Sequence, residues 1–185
     1  MSPTSWFVIA VFVLAIGWVV LLYNRLIALR NQVQEAWSDI DVQLKRRYDL
    51  IPNLVQVVKG YAKHERSVFT EVTKLRNQAL NASSPSEKAQ ADNLISGALK
   101  SIFALAENYP TLRSSENFQQ LQGELADTEN KIAASRRFYN TVTQNYNTSV
   151  MSFPTNILAQ SLKFKERELF EIDNPEARKT PTLKL

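Results

Sequence analysis

The first charged side chain in this sequence is Arg25, and the residues from Trp6 to Leu22 form an apolar run of seventeen, interrupted only by Gly17. A segment of that kind reads as a retained membrane anchor or as a cleaved signal peptide. At ~1.5 Å per residue the run spans about 25 Å as a helix, the short end of the membrane-crossing range, and Ser5 and Asn24 can extend it. Trp6 and Tyr23 stand at its two ends, where amphipathic aromatic rings suit the bilayer interfaces. A cleaved signal peptide fits less well. The stretch before the run has no Lys or Arg, the run exceeds the usual ~7–15 residues, and no small-x-small site follows it before Tyr23. Residues 1–24 are therefore expected to be a retained, single-pass anchor that contacts the lipid bilayer from Trp6 to Tyr23. Arg25 and Arg30 lie just after the run, so the positive-inside rule places the N-terminus outside and the rest of the chain in the cytoplasm.

All 22 basic and 18 acidic side chains follow the run. The roughly 160 residues that carry them suffice for one core. Four glycines and no Asn-Gly or Asp-Gly pair argue against a β architecture and against glycine-rich phosphate loops. The absence of cysteine excludes disulfides, zinc thiolates, iron–sulfur clusters and cysteine nucleophiles. A net charge of +4 is spread along the chain with no basic stripe, so nucleic acid is not an expected partner.

From Leu26 the apolar positions Leu29, Val33, Trp37, Ile40, Leu44, Tyr48, Ile51, Val55, Val58, Ala62, Phe69, Val72 and Ala79 recur with a period of ~3.5, counting Glu65 and a site near Lys74–Arg76 as polar members of the row. One helix is predicted from Leu26 to Ala79, kinked at Pro52 because that residue withholds a donor from the Tyr48 carbonyl. Ser84-Pro85-Ser86-Glu87 is a capping box with proline at the first helical position, and it starts a second helix. This helix is predicted to bury Ala91, Leu94, Ala98, Ile102, Leu105 and Tyr109 before Pro110 stops it. A third, capped by Ser114 or Ser115, buries Phe118, Leu121, Leu125, Thr128, Ile132, Ser135, Tyr139, Val142, Tyr146, Val150 and Phe153 up to Pro154. A short helix over Asn156–Leu162 follows. The fold class is thus all-α: a single N-terminal transmembrane helix, then an antiparallel bundle of three long helices and a short fourth over 25–172, and a mobile charged tail over 173–185.

The strings AWSDIDVQLKRRYDLIPNLVQVVKGYAKHE (Ala36–Glu65), AENYPTL (Ala106–Leu112), NFQQLQGELADTEN (Asn117–Asn130), RRFYNTVTQNYN (Arg136–Asn147) and FPTNILA (Phe153–Ala159) resemble the LemA family in content and order. The similarity runs from Tyr23 to about Phe170. It implies a bacterial protein of the inner (cytoplasmic) membrane with a helical bundle in the cytoplasm, and it implies no established reaction. Relatives in that family include magnetosome-membrane proteins, and its genes often lie near a membrane zinc protease.

The candidate chemistry is thin. His64 has no carboxylate or imidazole at helical spacing, and Val68 stands where an HExxH motif needs its second histidine. Glu35, Asp39 and Asp41 lack calcium-loop spacing, and more often such residues pair with arginines such as Arg46, Arg47, Arg136 and Arg137. Glu107, Glu124 and Glu129 lack the Glu-x-x-His partners of di-iron bundles. Fourteen asparagines, several beside tyrosine as in Tyr139-Asn140 and Tyr146-Asn147, form either a polar recognition face or caps and register-fixing amides, including donors for carbonyls left open by Pro52 and Pro110. No cofactor or metal is expected. The leading reading is a non-enzymatic membrane-tethered scaffold or adaptor, binding another membrane-associated protein or a second copy of itself. Its candidate surface is Asp39, Asp41, Arg46, Arg47, His64, Glu65, Glu107, Asn108, Glu129, Asn130 and Arg136. The alternatives are a carboxylate and histidine metal-dependent hydrolase, or a binder of acidic lipid or nucleic acid through Lys45-Arg46-Arg47.

Overall fold

The computed structural model describes residues 3–170, so the tail expected over 173–185 lies outside the described residues. The chain is all-α. Its helices are α1 (Pro3–Tyr61), α2 (Arg66–Asn81), α3 (Pro85–Glu107), α4 (Pro110–Arg113), α5 (Glu116–Met151) and α6 (Thr155–Ser161), and no strand occurs among the described residues. They divide between two compact units, one of residues 3–39 and 135–169, the other of residues 40–134 with Phe170.

In the first unit, α1 begins as the one helix among the described residues that is long and apolar enough to cross a membrane, and none of its most apolar eighteen-residue window is buried. Burial starts at Leu26 and continues at Val33 and Ala36. The partner is the second half of α5, which buries Tyr139, Val142, Tyr146 and Val150. Trp37 meets Tyr139 with ring centroids 5.5 Å apart, a contact worth ~0.5–1.5 kcal/mol beyond area burial. Phe153, expected at the end of that buried row, is 79% exposed.

α6 ends in a Schellman motif. Lys163 takes a left-handed φ of 58°, its N–H donates to the Gln160 carbonyl at 3.1 Å, and the N–H of Phe164 donates to Ala159 at 2.9 Å. This reversal sends residues 164–169 back along α5 without regular secondary structure.

The second unit contains five helical stretches, from α1, α2, α3, the one-turn α4 and α5. Arg76 on α2 meets Tyr48 and Asp49 of α1, Lys88 and Asp92 on α3 meet Asp41 and Arg47, and Asp127 and Glu129 on α5 meet Arg46 and Arg47. With short turns between them, α2 and α5 therefore run against α1 and α3 with it. Their shared interior holds Ile40, Leu44, Ile51, Leu54, Val58, Val72, Ile95, Ile102, Leu125 and Ile132, each worth ~1.5–3 kcal/mol when fully buried.

Three expectations need correction. The helix predicted to run to Ala79 ends at Tyr61: Ala62 closes the last turn on Val58, Glu65 donates to Ala62, and α2 starts at Arg66. Ala62 and Phe69 are one heptad apart across that turn and both buried, so the period stays in phase where the helix does not. As expected, Pro52 lies inside α1 and does not end it. On α3 the buried stripe is Ala89, Asp92, Ile95, Leu99, Ile102 and Ala106, while Leu94 is exposed. Asp92 at the centre of the true stripe hides it from an apolar count. Finally, Pro110 opens a one-turn helix, α4, with Ser114 as its C-cap.

The capping box forms as expected. Ser84 Oγ accepts from the Glu87 N–H at 3.1 Å, and Glu87 Oε2 accepts from the N–H groups of Ser83 and Ser84 at 2.8 and 3.2 Å.

Candidate functional site

The basic trio Lys45-Arg46-Arg47 does not share a face. Arg47 is 4% exposed, and its Nη1 bonds Asp92 Oδ1 at 2.9 Å while Nη2 approaches Glu129 Oε2 at 2.7 Å. Asp92 is fully buried, whereas the Glu129 side chain is 46% exposed. Burial pulls the Arg47 pKa below its usual value, against the raising effect of Glu129. An arginine so enclosed cannot track phosphates on a surface. Arg46 stays half-exposed, 4.0 Å from Asp127.

The other candidate residues are dispersed. Asp41 pairs with Lys88 across α1 and α3. His64 and Glu65 sit in the turn between α1 and α2, with His64 exposed. Glu107 ends α3 and Asn108 is its C-cap, both exposed. Asn130 is exposed on α5. In the first unit, Asp39 is exposed and Arg136 half-buried. Among the described residues no group of three His, Asp or Glu side chains is placed to hold a metal ion.

The tyrosine–asparagine pairs do work that neither sequence reading anticipated. Tyr146 O–H donates to the Lys165 carbonyl at 3.0 Å, and Tyr139 O–H donates to Glu168 at 2.8 Å. Asn147 makes a two-way clamp on Arg167: its Nδ2 donates to the Arg167 carbonyl and its Oδ1 accepts the Arg167 N–H, both at 2.8 Å. These three side chains bind the chain's own backbone. Desolvation raises the pKa of both tyrosines, holding them as neutral donors. Asparagines are one candidate to serve the carbonyls opened by Pro52 and Pro110, but the Tyr48 carbonyl is served by Arg76 Nε at 2.7 Å.

Where this clamped segment leaves α6 it closes a cavity of about 320 Å³, lined by Arg30, Tyr146, Leu162, Lys163, Phe164, Lys165, Glu166 and Arg167. The Arg30 guanidinium lies 5.7 Å from the centroid of the Phe164 ring, and that ring meets Tyr23 edge-on at 6.5 Å. Among the described residues, Arg30, Lys163, Lys165 and Arg167 form no ion pair. Sequence reasoning missed this cluster because its cations come from 133 residues apart at Lys163 and Arg30, and nothing short of the fold brings them together.

These features define a helical protein with one candidate transmembrane helix among the described residues. The chain belongs to the LemA family, whose model matches residues 36–185. It is 32% identical to Protein LemA of Metamycoplasma hominis, covering 90% of this chain and 78% of that protein. It is 26% identical to Magnetosome protein MamQ 1 and MamQ 2 of Paramagnetospirillum magneticum, covering 80% of this chain. The match takes in 64% of each of those magnetosome proteins, just under two thirds of their length.

Proposed function

We propose that this protein is a non-enzymatic scaffold or adaptor, held in a bacterial inner membrane by the first part of α1 with its N-terminus outside and its helical units in the cytoplasm. The observation that carries the reading is α1 itself. One helix of 59 residues holds both the lipid-suited segment and, from Leu26, a buried face, so no linker separates anchor from fold. A continuous helix of that kind suits seating the first unit beside a bilayer. The residues offered to another membrane-associated protein, or to a second copy, are Asp39 and Arg136 on the first unit and Asp41, Arg46, His64, Glu65, Glu107, Asn108 and Asn130 on the second. Arg47 and Glu129 serve within the fold instead.

The absence of cysteine makes the topology simple to test. In intact cells, a membrane-impermeant maleimide should label Thr4→Cys and should reach His64→Cys only after lysis; the reverse pattern contradicts the orientation. A photo-crosslinker at Asn130 should then capture a defined membrane-associated protein or a second copy, and a reproducible turnover by the purified chain, abolished by one substitution, would contradict the scaffold reading.

A further inference from the structure

We propose that the cationic cavity of the first unit binds the phosphate headgroup of an anionic phospholipid in the leaflet that α1 leaves. The inference rests on the anchor reading above. Tyr23 marks the end of the apolar run, and Arg30 lies seven residues further, about 10 Å along the helix. The headgroup layer is about 5–7 Å deep on each side of the hydrocarbon core, and an arginine side chain can bridge the remainder by reaching back toward the interface. Phe164 fixes this level independently, because one ring touches both Tyr23 and the Arg30 guanidinium.

α5 arrives at the same level. Trp37 faces Tyr139, and seven residues back along α1 and seven forward along α5, Arg30 and Tyr146 share the cavity. Continuing that antiparallel register brings Met151 level with Arg25. Beyond it the tip of the unit is apolar and uncovered: Met151, Phe153, Ile157 and Leu162 are among the exposed large hydrophobics. An apolar tip at the height of an interfacial tyrosine, beside four cations that form no ion pair among the described residues, is the composition of a surface that seats itself in a leaflet. The arginines can take phosphate oxygens in pairs.

Lys163 adds a separate observation. It holds the left-handed backbone position of the Schellman motif, which glycine fills with less strain. The residue is among those that line the cavity, so the strain coincides with a cation at the site. Glu166 is the one carboxylate in the lining, leaving the cavity positive.

The full chain, reconstituted in nanodiscs of phosphatidylcholine alone or mixed with phosphatidylglycerol, is extracted gently and its retained lipid identified by native mass spectrometry. Phosphatidylglycerol should be retained in preference to phosphatidylcholine. Combined Lys163→Gln, Lys165→Gln and Arg167→Gln should reduce that preference about a hundredfold, at roughly fivefold per cation. The charge-matched control Lys59→Gln, Lys74→Gln and Lys100→Gln should leave it unchanged, and the conservative set Lys163→Arg, Lys165→Arg and Arg167→Lys should retain it. Equal retention of both lipids, equal loss in the control, or binding of inorganic phosphate with no lipid preference overturns the assignment. Failure to enter phosphatidylcholine nanodiscs at all would instead remove the anchor reading on which the assignment rests.

Discussion

Arg76 donates its Nε hydrogen to the main-chain carbonyl of Tyr48 at 2.7 Å, the carbonyl that Pro52 leaves without its helical donor. α1 thus passes through a proline because a side chain on α2 supplies the missing bond, with Asp49 at 3.6 Å holding the same guanidinium. Arg76→Leu should destabilise the protein by about 1–3 kcal/mol, the cost of an unsatisfied buried acceptor. In a Pro52→Ala background, where residue 52 can donate for itself, the same substitution should cost at least about 1 kcal/mol less. A double-mutant cycle by urea denaturation checks the coupling. Strictly additive losses would show that Arg76 serves some other purpose.

Arg47 and Asp92 are interior partners, and removing one strands the other. Asp92→Ala should cost about 3–5 kcal/mol, whereas Arg47→Met combined with Asp92→Leu should come close to wild-type stability. Glu129, half in solvent, should cost far less on truncation. Thermal unfolding of the three variants separates these outcomes.

Glu87 accepts from the N–H groups of Ser83 and Ser84, which hold its pKa below the ordinary glutamate value. A carboxylate depressed in the folded state stabilises above its unfolded pKa, and that contribution is lost as pH falls through the lower folded value. Glu87→Gln should therefore flatten the acid limb of the stability curve. Ser84→Ala should cost about 1 kcal/mol at neutral pH.

Tyr139 and Tyr146 behave in the opposite sense. Their raised values favour the neutral form, so their contribution is complete below the ordinary tyrosine pKa near ~10 and is lost as pH rises through the folded values. The Tyr139→Phe and Tyr146→Phe pair should lose two backbone bonds to residues 165 and 168 and become less sensitive to alkali. Trypsin should cut faster after Lys165 and Arg167 in that variant, and more so with Asn147→Ala; unchanged cleavage would mean the clamp does not hold the segment.

Legibility in the sequence followed apolar content. The rows of α1 and α5 were visible because Ile40, Leu44, Ile51, Leu125, Ile132 and Tyr146 recur at helical spacing, and the capping box because its four residues act locally. The α3 stripe was misplaced where a charged residue, Asp92, sits in the core, and the turn at 62–65 was hidden by heptad spacing that survives it. Arg47 read as a surface cation because its two partners lie 45 and 82 residues away. Pairings over such separations are set by tertiary structure, and residue order carries no trace of them. The Tyr146-Asn147 pair drew notice for its composition, yet its target, the backbone near Arg167, has no side-chain signature to read.

The central claim is that one helix carries the membrane span directly into the fold. A single-cysteine scan of residues 18–36 in native membranes, read by maleimide labelling, tests it most directly. Labelling should be blocked from Trp18 to Leu22. From Arg25 onward it should rise with helical period, high at Arg25, Ala28, Gln32 and Glu35 and low at Leu26, Val33 and Ala36. Uniform reactivity from residue 24 onward, or free reactivity before it, would show a flexible linker or no membrane span and would contradict the account.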